Sequence, residues 1–281
     1  VIVDTHTHVI ARDEARYPLR PSGVGSTWYR DSPCSAEDLL DLTAAADVDA
    51  AVLVQAFGAY SYDNSYTIDS AAARPDRFVS IAIVDAEDPG SPATVTALAR
   101  EKAFTGVRLF SIGALEHPQP TWLDHPITFE LWEVCANLGL RVLVACLPEH
   151  LSRLQRVLAQ FPDQPVVLDH AGFVPLDGGP PYPEAAALFD LVGHTNLHLK
   201  ITSHLLEASE AQGDACEIVD RLVREFGAQR LVWGSDFPQT NDRPYADLVA
   251  LAEHACRNLS EQDRALVLGG TALELWPELA Q

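Results

Sequence analysis

Leu140-Arg-Val-Leu-Val-Ala-Cys146 and Pro165-Val-Val-Leu-Asp-His-Ala171 are short, nearly unbroken apolar runs. A strand with one wet face alternates apolar and polar residues; these do not, so they read as strands buried on both faces, as in a parallel sheet. Six more runs of this kind lie at Ile2–His8, Ala50–Ala56, Phe78–Val84, Phe104–Phe110, Leu197–Thr202 and Leu231–Phe237, with amphipathic segments between them. Helix ends are marked by Ser35-Ala-Glu-Asp38 and Ser260-Glu-Gln-Asp263 as capping boxes, by proline after Ser91 and His125, and by Gly139 and Gly227 as stops. Parallel neighbours need crossover helices, and both sheet faces must be covered. Eight alternating pairs therefore predict an α/β fold, a closed (β/α)8 TIM barrel forming one domain over residues 1–281. An open doubly wound sheet is the alternative.

Composition narrows the function classes. The chain has 281 residues, 47% of them hydrophobic, with 19 Lys plus Arg against 40 Asp plus Glu and a formal charge of −21. Such a surface repels phosphate backbones and anionic lipid, so neither nucleic acid nor membrane is expected as a partner, and a small-molecule substrate is. Self-association into a homo-oligomer stays open. No glycine-rich phosphate fingerprint follows any strand. The five cysteines form no CxxC pair and suit a reducing, cytoplasmic setting; no basic segment before an apolar stretch marks export. The long irregular stretches at 10–33 and 111–124 fall after strands one and four, on the face where barrels bind substrate.

The candidate chemistry sits at strand ends. Strand one closes on Asp4-Thr-His6-Thr-His8, and a period of two turns Asp4, His6 and His8 the same way, into the mouth. Strand six adds Asp169-His170 and strand eight Ser235-Asp236. Taken singly, His170 reads equally as a core histidine and Asp236 as a helix cap. Arg108 on strand four and Lys200 on strand seven are cations that need an anionic partner: Asp236, Asp169 or a substrate carboxylate. Phe57-Gly-Ala-Tyr60-Ser-Tyr62-Asp-Asn64 offers aromatic walls and polar donors to a ring-shaped ligand, with Trp28, Tyr29 and Arg30 opposite.

These residues resemble the amidohydrolase superfamily, in particular its branch of 2-pyrone-4,6-dicarboxylate lactonase, sulfomuconolactonase and sugar-acid lactonases. The likeness runs nearly end to end, through Val3-Asp-Thr-His6-Thr-His8, Val54-Gln55 with Asn64, Gly106-Val-Arg108, Pro148-Glu-His-Leu151, Val167-Leu-Asp-His170-Ala-Gly172, Leu199-Lys200 and Arg230-Leu-Val-Trp-Gly-Ser-Asp236-Phe-Pro238. It implies a distorted barrel and a hydrolase acting on a lactone or related small cyclic ester. It also implies Asp236 as general base, His6, His8 and His170 at the carbonyl or at a metal, and Arg108 on the substrate. Gln55, Lys200, Tyr60 and Asn64 complete the expected substrate-binding set.

Two departures bear on the chemistry. Strand five has no histidine where metal-dependent members commonly carry one, which favours a metal-free site; the other option is one zinc or manganese ion on His6, His8, His170 and Asp236. Cys146, in an apolar strand, reads as core rather than ligand. Phe173 follows Gly172 where the pyrone-dicarboxylate enzyme has a basic residue, which disfavours a dicarboxylate substrate. The competing function is a metal-dependent decarboxylase of an aromatic or unsaturated acid on the same barrel.

Overall fold

The computed structural model describes residues 1–21, 27–101, 103–110 and 121–280; most of the stretch expected to be irregular after strand four lies outside these. Eight parallel strands follow one another around a single sheet: β1 (Val3–Thr7), β2 (Ala50–Val54), β3 (Phe78–Ile83), β4 (Phe104–Phe110), β5 (Arg141–Ala145), β6 (Val166–Leu168), β7 (Leu197–Thr202) and β8 (Leu231–Gly234). Each pairs with the next, as the unbroken apolar runs require. The fold is a TIM barrel.

The apolar residues divide by face. Val3, Val52, Val54, Val79, Ile81, Leu143, Val167 and Val232 cluster together and are closed off by Leu275 and Trp276 of the C-terminal helix. The Arg141 guanidinium fixes that helix, donating to the Leu275 carbonyl and pairing with Glu278 at 2.9 and 3.1 Å. The other strand face packs on the helices in a larger cluster that includes Leu154, Leu158, Leu222 and Phe226. One end of the barrel is therefore plugged by hydrocarbon, which leaves the opposite end for polar chemistry.

The helix signals act as read. Ser35 accepts from the Asp38 amide while the Asp38 carboxylate accepts from the Ser35 amide, a full capping box; Ser260 makes only the first half, its hydroxyl accepting from the Asp263 amide. Several strands stop a residue or two early, and two stop three residues short of the expected runs. β6 stops at Leu168 and β8 at Gly234, because the residues after each turn into left-handed backbone: His170, Ala171, Gly172 and Phe173 have φ of 53°, 48°, 71° and 52°, and Asp236 has φ of 61°.

Closure between β1 and β8 is irregular. A lone bridge joins Thr7 to Phe237, the His8 amide donates to the Phe237 carbonyl, and the Asp236 amide donates to the His6 carbonyl, both at 2.8 Å. Side chains stitch the rest: Thr5 Oγ1 donates to the Trp233 carbonyl, and the Ser235 amide donates to Asp4 Oδ1 at 2.9 Å. Gly234 permits this approach, since a Cβ there would stand 2.7 Å from His6 Cβ. The barrel seam thus runs through the residues expected to do chemistry.

Candidate active site

His6, His170 and Asp236 come together from β1, the turn after β6 and the turn after β8. All three are buried, and each offers one ligating atom within 4.8 Å of the others. Asp236 Oδ1 stands 3.5 Å from His6 Nε2 and 3.3 Å from His8 Nε2. The His8 ring is fixed by Nδ1, which donates to the Val54 carbonyl at 2.8 Å, since a carbonyl only accepts. That anchorage keeps His8 beside the carboxylate but outside the group of three.

Charge is arranged around a second carboxylate. Asp169, fully buried, accepts from Arg108 Nε at 2.6 Å and meets Lys200 Nζ at 2.9 Å, so both strand cations find their partner in Asp169. Burial pushes the Asp169 carboxyl up, but the charges of Lys200 and Arg108 outweigh it and hold the group well below the usual carboxylate range. Lys200 also stands 3.1 Å from His6 Nδ1; burial and that ammonium keep His6 far below an ordinary histidine. Burial likewise opposes ionisation of Asp236, yet the contact with His8 and the nearby His170 and His6 leave it below the usual range.

His170 rests its Nδ1 on Thr202 Oγ1 at 2.9 Å. Burial lowers its pKa to about 4, against the opposing pull of Asp236 and Asp169, so it is a neutral imidazole at pH 7. Folding therefore excludes a proton that the unfolded chain takes up below 6.5, and stability is lost as pH falls from 6.5 towards 4. The loss is about 3 kcal/mol. We expect the stability gap between wild type and His170→Gln, measured by urea unfolding, to shrink by that amount between neutral pH and pH 4. A constant gap would show that His170 is not held neutral.

Several expected side chains are engaged elsewhere. Gln55 donates from Nε2 to the Ser61 and Asp63 carbonyls and accepts from Thr67 at Oε1. Asn64 donates to the Tyr62 and Ile83 carbonyls and accepts from the Ile83 amide. The buried Tyr60 hydroxyl accepts from the Ala11 amide. These hydrogen bonds frame the loop after β2. Asp4 also departs from expectation: a register shift between Asp4 and Thr7 breaks the period of two, and its carboxylate accepts from the His6 and Ser235 amides and the Tyr245 hydroxyl. Cys146 is buried in the core, its thiol pushed up to about 12 by burial.

Sequence reasoning missed two partners. Thr202 lies two residues beyond Lys200 on the same strand, so alternation alone places it on the same face. Tyr245, on the helix Tyr245–Ala255, carries no local signal of its contact with Asp4. Aromatic rings border the polar cluster: Trp28 lies 5.4 Å from His8, Phe173 lies 4.4 Å from His170, and Phe110 lies under the Arg108 guanidinium and beside Phe57.

The site fits a divalent cation on the chemistry of its donors. Among the described residues, His6 Nε2 and Asp236 Oδ1 are buried without a hydrogen-bond partner, and two imidazoles plus a carboxylate match the three protein ligands of catalytic zinc sites that keep an open position.

A barrel with such a cluster at the C-terminal ends of its strands has the layout of a TIM-barrel enzyme. The chain belongs to the amidohydrolase family, whose model it matches over residues 3–277. It is 28% identical over 285 residues to an L-fucono-1,5-lactonase of Burkholderia ambifaria, covering 98% of this chain and 94% of that protein. It is 26% identical over 289 residues to a D-galactarolactone isomerase of Agrobacterium fabrum, with 96% and 90% covered. Among solved structures, an amidohydrolase from Burkholderia multivorans with bound zinc superposes with a TM-score of 0.80 at 23% identity, over 99% of each chain. The protein is an enzyme of this family.

Proposed function

We propose that the enzyme hydrolyses a lactone, most closely a sugar-acid lactone, with Asp236 as general base. The observation that carries this reading is the Asp236 carboxylate itself. It is buried and held ionised, and its Oδ1 has no hydrogen-bond partner among the described residues and is ringed by imidazoles at the open end of the barrel. Such an oxygen is placed to accept a proton from a water attacking a carbonyl. The water oxygen bonds to the carbonyl carbon, the ring C–O bond breaks, and the proton passes from Asp236 to the departing alkoxide, giving a hydroxy acid. Neutral His170 and His6 can each turn a ring N–H donor to the carbonyl oxygen as charge develops on it. Trp28 and Phe173 give flat apolar faces to a ring-shaped substrate.

His6, His170 and Asp236 would hold a divalent ion, with His8 alongside. When bound, such an ion would polarise the carbonyl or acidify the attacking water. We expect one equivalent of zinc to bind the chelated protein in a calorimetric titration, and His170→Ala to weaken binding by about tenfold or more. Equal affinity in the two proteins would remove His170 as a ligand.

The function is tested by following acid release from six-membered sugar-acid lactones and a carboxylated pyrone lactone, and carbon dioxide release from an aromatic carboxylic acid. The reading expects ring opening of the uncharged sugar-acid lactones at the highest kcat/KM. Carbon dioxide release from the aromatic acid, with no lactone opened, would replace it with decarboxylation.

A further inference from the structure

Asp4 precedes the histidine pair yet takes no place in the polar mouth. Its carboxylate gathers three donors from three parts of the chain. Oδ1 accepts from the His6 amide at 3.1 Å and from the Ser235 amide at 2.9 Å, and Oδ2 accepts from the Tyr245 hydroxyl at 3.0 Å. One of those amides belongs to the residue that carries the imidazole, and another to the neighbour of the base. We propose that Asp4, braced by Tyr245, is a positioning residue that fixes how His6 and the Asp236 carboxylate face each other across the barrel seam. This rests on the reading of Asp236 as the base.

The backbone explains why such a brace is needed. Asp236 holds a left-handed φ of 61°, a conformation that costs a residue other than glycine roughly 1 kcal/mol and persists only where surroundings impose it. No regular ladder imposes it: among the described residues, the pairing of β1 with the chain after β8 is an isolated bridge, Thr7 to Phe237. The Asp236 amide is held by the His6 carbonyl and its carbonyl by the Thr240 amide, both at 2.8 Å. Asp4 fixes the peptide just before it. Tyr245 adds a second grip: its hydroxyl holds Asp4, while its ring packs edge-on against Phe237, just after Asp236, with centroids 5.4 Å apart. The turn bearing the base is thus clamped on both sides from one helix.

The test compares Asp4→Ala, Asp4→Asn and Tyr245→Phe. A misplacement of about 1 Å at reacting groups costs about 100-fold in rate. We expect Asp4→Ala to lower kcat by about that factor while KM stays within about threefold, since the brace does not touch substrate. Asparagine keeps an acceptor oxygen for both amides and should recover all but about fivefold. Tyr245→Phe, which deletes only a hydroxyl, should lower kcat by about three- to tenfold at unchanged KM. The ring resonances of His6, read by NMR in histidine-labelled protein, report the same geometry without substrate. They should move in Asp4→Ala and Tyr245→Phe and return towards wild type in Asp4→Asn. Wild-type kcat and His6 resonances in Asp4→Ala, or equal losses in the alanine and asparagine variants, would overturn the proposal. If Asp4→Ala does not fold, Tyr245→Phe decides by the same readouts. If the wild type opens no lactone, the functional reading fails and the resonances alone judge the positioning role.

Discussion

Asp236→Asn is expected to lower kcat by about 1,000-fold, within the range that a positioned general base contributes and equivalent to about 4 kcal/mol of barrier. The amide keeps the size of the carboxylate and an acceptor oxygen, so the turn after β8 retains its shape, but it takes no proton from the attacking water. KM should change little, because the base bonds the water rather than the substrate. The melting temperature should stay within a few degrees of wild type, since neither backbone bond of Asp236 involves its side chain. Steady-state kinetics on a turned-over lactone, beside calorimetry on the same preparation, checks both halves. Activity within about tenfold of wild type, with stability unchanged, would take the role of base away from Asp236.

The largest effect on stability is expected at Asp169. Its carboxylate is the common anion for Arg108 and Lys200, at 2.6 and 2.9 Å, in a region closed to solvent. Asp169→Ala deprives both buried cations of their shared anion, and breaking a buried pair in this way typically costs about 3–5 kcal/mol. That is a large share of the roughly 5–15 kcal/mol by which folded proteins exceed their unfolded chains. Urea unfolding should show the loss as a lower midpoint at unchanged slope. Adding Lys200→Met should return part of it, because the ammonium that Asp169 neutralised is gone. A loss below about 1 kcal/mol would mean that water reaches the pair and screens it.

The strands were legible because burial on both faces leaves continuous apolar runs, as in Val142-Leu-Val-Ala145, and because Ser35, Ser260 and Gly139 mark ends by local chemistry. His6, His170, Arg108, Lys200 and Asp236 were readable as strand-end polar groups in otherwise apolar surroundings. What escaped reading depends on backbone departures. The turn His170–Phe173 is left-handed at four successive residues, of which one is glycine, so composition gives little warning. Asp4 was misdirected because a register irregularity inside a five-residue strand shifts a side chain without changing the pattern of letters. Gln55, Tyr60 and Asn64 read as ligand-binding groups, and nothing in the sequence shows that they also hydrogen-bond to main chain.

Those three side chains have an evolutionary consequence. Nearly all their bonds end on main-chain atoms, which every amino acid supplies, so the loop after β2 holds its outline whatever its other positions carry. It behaves as an exchangeable cassette. Replaced as a block that keeps Gln55, Tyr60 and Asn64, it can change the surface it presents while His6 on β1 and the turns after β6 and β8 that carry His170 and Asp236 stay where they are. A lineage can then drift between substrates by editing this wall, and an engineer seeking new specificity has the same freedom.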